Sequence, residues 1–253
     1  MPPPLAVVVA ARLLLSKSDA PFSECEDSIA ADGEHLRFAV ADGATEGFDS
    51  RRWARYLTRA WISPTSVPLA SFDLVDRIRA IGVRLERRWS GRNLPWYLEE
   101  KASGGAYAAF LGLQVTSSSW TWSAVALGDT CLIIERDRAV AFAFPLSSAE
   151  DFSNRPVLVA SKTDTGVTRQ AMRLEEGVCV PGDVLLIMSD AIACWYLGHT
   201  VSDRRLIDEF HDALGDSAVF TSFIERERSA HRLRNDDVAV VKLVVNARTG
   251  DGT

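Results

Sequence analysis

Residues 183–191 read DVLLIMSDA: an apolar run, 183–188, that leads straight into a carboxylate at Asp190. A run this short, built from Val, Leu and Ile and bounded by turn-forming residues, has the pattern of a β-strand. The same arrangement recurs along the chain. Glu26-Asp27 precedes the strand pattern SIAA, Asp42-Gly43 closes LRFAVADG, and Asp236-Asp237 opens DDVAVVKLVV at 236–245. Taken singly, an Asp beside Gly at a strand end is explained as a turn. As an ordered set these residues point elsewhere, because carboxylates buried beside apolar strands are costly unless a cation compensates them. Hard divalent ions such as Mg²⁺ or Mn²⁺ take oxygen ligands, chiefly carboxylates with a backbone carbonyl and water. Two such ions side by side lower the pKa of a bridging water and clamp a phosphoryl oxygen during in-line attack.

Outward from these strands, the pattern predicts a fold class. Further strand patterns lie at 5–15, 37–41, 105–115, 119–127, 130–136 and 139–144, with Gly128-Asp129 and Asp137-Arg138 read as hairpin turns. Helical spacing appears at 50–62, where Trp53, Leu57, Ala60 and Trp61 share a face, and at 70–90, with Phe72, Val75, Ile78, Ile81 and Leu85 opposite an Arg-rich side. A third helical segment spans 203–214 and continues over 220–233. Strands, two helices, a run of strands, a helix and a last strand do not make a regular βαβ alternation. The expectation is α+β: two antiparallel β-sheets sandwiched between helices, in a single domain over 1–253, with the polar stretch 145–176 as a flap.

Composition narrows the function. The 253 residues carry a formal charge of −6, which argues against nucleic acid, since phosphate-backbone binding needs clustered Lys and Arg. The basic stretch 84–92 alternates with apolar residues and reads as a solvated helix face. Cys25, Cys131, Cys179 and Cys194 are widely spread, so neither a zinc ribbon nor a disulfide framework is expected. None of them begins the C-x5-R loop of a cysteine-nucleophile phosphatase. The opening MPPPLAVVVAARLLLSKS lacks a basic n-region and has Arg12 inside its apolar run, so it reads as a first buried strand. With no uninterrupted apolar run of membrane-spanning length, a cytoplasmic protein without membrane partners is expected.

Six segments, in order, resemble the PPM-type (type 2C) metal-dependent Ser/Thr phosphatases over roughly residues 5–246. Cys25-Glu26-Asp27-Ser28 is similar to that family's N-E-D-A motif, and FAVADGATEG at 38–47 to its F-x-V-x-D-G-H-G-G. SGGAYAAFLGL from Ser103 resembles its S-G-S-T-A strand start, and ALGDTCLI at 126–133 its N-V-G-D-S-R segment. DVLLIMSDA resembles D-x-L-L-L-x-S-D-G, and DDVAVVKLVV resembles D-N-x-T-V-x-V-V. Each is weak alone; six in order are strong.

The resemblance implies two divalent cations, Mg²⁺ or Mn²⁺. Asp42 would bridge them, Glu26 and the Gly43 carbonyl would complete one position, and Asp190 and Asp236 would hold the other. Asp27 and Asp237 would support from behind. A metal-bridging hydroxide would then attack a phosphoserine or phosphothreonine of a phosphorylated protein, the target of a separate Ser/Thr kinase. Asp129 reads as a turn residue.

Four positions depart from the family pattern. Phe22 stands where an Arg grips the substrate phosphate, with Lys17 the nearest upstream cation. Ala44 replaces the His after Asp-Gly, Ala191 replaces a Gly, and Lys101 stands where an Asp would hold a third metal. These changes fit a divergent bacterial-like member, and they keep a second reading open: a pseudophosphatase that binds a phosphoprotein without turnover. A metal-dependent nuclease is disfavoured by the acidic charge, and His35, His199, His211 and His231 read as surface or loop residues. The seven tryptophans read as core and interface packing.

Overall fold

The computed structural model describes residues 5–63, 71–153, 155–162 and 165–247. The order is β1 (Leu5–Leu15), β2 (Ser28–Asp32), β3 (Arg37–Gly43), α1 (Ser50–Ile62), α2 (Ser71–Trp89), α3 (Trp96–Gly104), β4 (Tyr107–Thr116), β5 (Thr121–Leu127), β6 (Cys131–Arg136) and β7 (Ala139–Phe144). It continues β8 (Val159–Ala160), α4 (Thr165–Ala171), β9 (Arg173–Val178), β10 (Val184–Met188), α5 (Asp190–His199), α6 (Arg204–Ala213), α7 (Ser217–Ser229) and β11 (Val238–Ala247). One sheet runs β1-β11-β10-β6-β7 and the other β2-β3-β4-β5-β9, with β8 beside β4; every pairing is antiparallel.

Period-two alternation sorts the strand residues into three cores. Phe38, Val40, Leu111, Leu113, Leu185, Ile187, Val241 and Leu243 point between the sheets. Their sequence neighbours point the other way. Ala39, Ala41 and Phe110 pack under α1 and α2 on Trp53, Leu57, Trp61 and Ile78. Leu186, Met188 and Val240 pack under α5, α6 and α7 on Trp195, Tyr196, Phe210 and Ile224. Both faces of the central strands are therefore covered, which explains why they read as unbroken apolar runs. Two antiparallel sheets between helical layers are the expected architecture.

Several local expectations change. Gly128-Asp129 closes no hairpin, because β5 and β6 belong to different sheets; the segment crosses from one sheet to the other. Gly128 has φ of +94°, and a Cβ there would stand 2.7 Å from that of Ala109, so both conformation and space call for glycine. Asp137 and Arg138 do form the β6–β7 hairpin turn, both with positive φ. β1 is an edge strand and only partly buried: it pairs with β11, and Val8 is half-exposed. The 145–176 stretch holds β8, α4 and the start of β9. Helix α5 does not follow an amphipathic period because it is enclosed, with Ala191, Ile192, Ala193, Trp195 and Tyr196 all buried. Trp53, Trp61, Trp122 and Trp195 are core residues, whereas Trp96 is exposed. His211 is not a free surface residue. It lies 2.9 Å from the Glu135 carboxylate, and His199 lies in the last turn of α5 against Trp195.

Candidate metal centre

Strand register brings the acidic residues to one end of the sandwich. Ser28 pairs with Ala41, which sets Glu26-Asp27 beside Asp42-Gly43. Ala41 pairs with Phe110, and Phe110 with Leu127, so the segment carrying Asp129 leaves β5 at that same end. In the other sheet Met188 pairs with both Cys131 and Val240, which places Asp129, Asp190 and Asp236 together at its matching end. Successive antiparallel neighbours thus deliver carboxylates from four separate strand ends, and the crossing at Gly128-Asp129 joins the two sheets there.

The hydrogen bonds give each group a place. The Asp237 carboxylate accepts from the backbone N–H of Lys17 at 2.9 Å and of Glu26 at 2.7 Å, tying the end of β1 and the approach to β2 to the start of β11. The Glu26 carboxylate accepts from the Thr45 hydroxyl at 2.5 Å. At the N-terminus of α5, Asp190 Oδ1 accepts from the Ala191 N–H at 2.5 Å. Its Oδ2 accepts from the guanidinium of Arg234, which also lies 3.4 Å from Asp236 Oδ2. Asp27 is buried, and the Ser189 hydroxyl is the neighbour that favours its charged form.

Like charges in a dry setting raise carboxyl pKa values. Burial, then the charges of Asp27, Asp190, Asp236 and Asp129, hold Asp42 well above the usual carboxylate range. Asp27 is pushed well up by burial and then by Asp237. Asp236 rises through burial and Asp190, and Glu26 rises through burial, with the Thr45 hydroxyl opposing. Asp129 is pushed up to about 7 by burial and Asp190. By strand register it stands at the same end as Asp190, in a crossing between sheets and not in the hairpin turn expected from the sequence.

Cations ring the cluster. Phe22, at the position of the missing Arg, is 56% exposed and brings no charge. Lys17 and Lys101 act on Glu26, Lys17 also acts on Asp236, and Arg234 acts on Asp129 and Asp236. Lys101 donates to the Thr45 carbonyl at 2.6 Å. Arg234 was hidden in the sequence within the basic run RERSAHRLR at 226–234; only its place two residues before Asp236 hinted at a role. Beside Asp190 a cavity of about 420 Å³ opens between Phe152, Trp195, His199 and Arg232. Among the described residues, no group of three or more His, Cys, Asp or Glu side chains closes into a ready metal cage.

The antiparallel sandwich has the fold of the PPM-type Ser/Thr phosphatases. It is similar to the catalytic domain of the Ser/Thr phosphatase PstP in complex with two manganese ions, at 16% identity over 96% of this chain and 99% of that one, TM-score 0.62. It is also similar to the PPM Ser-Thr phosphatase MsPP from Mycobacterium smegmatis in complex with cacodylate, at 15% identity over 94% and 99%, TM-score 0.60. PppA of Pseudomonas aeruginosa, a regulatory component of T6SS, aligns at 16% identity over 97% and 99%, TM-score 0.61. No protein-family model and no curated protein matches the chain. At these identities the likeness is one of fold.

Proposed function

We propose that the chain, acting as a single domain, is a metal-dependent phosphatase of phosphoserine and phosphothreonine in proteins. The observation that carries the reading is the position of Asp42, half-buried within the fields of Asp27, Asp129, Asp190 and Asp236. So many carboxylates around one point, Asp27 and Asp129 buried and the others partly so, need positive charge to remain ionised. The donors are all oxygen and so fit Mg²⁺ or Mn²⁺. Asp42, Glu26 and the Gly43 carbonyl would hold one ion; Asp42, Asp190 and Asp236 would hold the other. Bound there, such ions activate water and neutralise phosphoryl oxygens.

The chain's own residues set the rest. The Asp237 bonds to the Lys17 and Glu26 backbone fix the approach to β2, and the buried carboxyl of Asp27 lies within electrostatic reach of Asp42. Gly43 sits where a Cβ would stand 2.9 Å from the Glu26 carbonyl and the Ser50 backbone, so a side chain there would push these segments apart. The cavity beside Asp190 offers room and an aromatic wall to the peptide around a phosphoresidue. No helix among the described residues is long and apolar enough to cross a membrane. The substrate we propose is a cytoplasmic phosphoprotein made by a separate Ser/Thr kinase.

The test is hydrolysis of p-nitrophenyl phosphate and a phosphothreonine peptide with and without Mn²⁺. We expect Mn²⁺-dependent turnover that Asp42→Asn lowers by at least about a hundredfold, the scale of losing one main electrostatic group of an active site. Phe22 favours a second reading, a module that binds phosphoproteins without turnover. Peptide binding with no hydrolysis in either protein would select it.

A further inference from the structure

We infer that Arg234 is a built-in counter-ion occupying the place of a divalent cation between Asp190 and Asp236, so that the cation must displace it to bind. The inference rests on the reading of those two residues as cation ligands. Its basis is the way their oxygens are used. Asp190 Oδ1 is taken by the Ala191 N–H and Oδ2 by the Arg234 guanidinium. Asp236 Oδ1 accepts from the Asp237 N–H at 3.0 Å, and its Oδ2 faces Arg234 at 3.4 Å. The guanidinium therefore covers the one oxygen of each carboxylate that the backbone leaves open.

The surroundings make this arrangement reversible. The Asp236 carbonyl is held by Arg228, whose side chain is only 4% exposed, so the backbone next to Arg234 is anchored. The Arg234 side chain is 50% exposed and can turn into solvent without disturbing that anchor. A monovalent, planar guanidinium cannot satisfy so many carboxylates as well as a divalent ion does. It can nevertheless keep Asp190 and Asp236 from repelling each other in the metal-free protein. The cost appears as weaker apparent metal binding, because the metal competes with a group that is always present.

Calorimetric titration of the 253-residue protein with MnCl2 tests this, in wild type, Arg234→Gln, Arg234→Met and Arg234→Lys. Removing the charge should tighten Mn²⁺ binding in Arg234→Gln and Arg234→Met by up to about tenfold, a change of about 1.4 kcal/mol. Arg234→Lys, which keeps a cation, should stay near wild type. Both neutral variants should melt lower than wild type in EDTA, with circular dichroism confirming that they are folded. Wild-type binding with no gain in either neutral variant would overturn the inference and leave the metal centre standing. Failure of every protein to bind Mn²⁺ would overturn both together.

Discussion

Glu135, Tyr196 and His211 show how one buried carboxylate is kept ionised far from the acidic cluster. The Tyr196 hydroxyl donates to Glu135 and lies 3.2 Å from His211 Nε2, which is itself 2.9 Å from the other Glu135 oxygen. Burial pushes the Glu135 carboxyl up, but the bonds from His211 and Tyr196 outweigh it and hold it below its ordinary value. The sign follows from linkage. A depressed folded pKa contributes stability that is complete above the carboxylate's ordinary pKa of 4.5 and is lost as pH falls through the folded value. Glu135→Gln should therefore melt below wild type at pH 7, and the gap should shrink steadily below about pH 4.5. Thermal melts at pH 7, 5 and 3 check this; a gap that does not change with pH would rule it out. At this scale the sequence showed Glu26, Asp42, Asp190 and Asp236, because each ends or opens an apolar strand. It did not show Asp129 as a member of the cluster or Arg234 as its neighbour. A Gly-Asp pair looks the same whether it closes a hairpin or crosses between sheets, and an Arg two residues from an Asp looks like any solvated charge.

Among the elements, α1 and β4 meet at a close contact. Trp61 lays its indole on Gly112, its Nε1 donates to the Leu113 carbonyl at 3.2 Å, and its ring meets Phe110 edge-on at 5.9 Å. A Cβ at Gly112 would overlap the indole carbons. Gly112→Ala should cost about 1–3 kcal/mol, the usual range for overpacking a filled core. Chemical denaturation would show it as a lower midpoint, and an unchanged midpoint would mean that α1 shifts freely on the sheet. Amphipathic elements such as α1 and α2 were legible from their period. Helix α5 was not, since an enclosed helix has no polar face to reveal its turn, and short β8 and α4 carry too few residues to show a pattern. The β5–β6 connection was misread for a related reason: the spacing of two strands along the chain does not say which sheet each joins.

For the whole molecule, the two sheets share one inter-sheet core, and the elements of each outer layer pack on strands that line it. Heat unfolding should then occur as one cooperative transition, with calorimetric and van't Hoff enthalpies agreeing. Two resolved transitions would show that the layers are separable units. The architecture was legible because strand order excluded a βαβ alternation, and its registers followed from period two once both faces were known to be covered. One boundary of the molecule has a consequence of its own. The outermost strand of the first sheet, Leu5–Leu15, turns one side to β11 and, among the described residues, has no neighbouring strand in that sheet along its other backbone edge. Its register slips between Val9 and Ala11, beside the exposed Val8. Such a bulge bends and twists an edge, so a second copy finds no straight template to extend. An edge of this kind is a poor template for adding further copies of the chain.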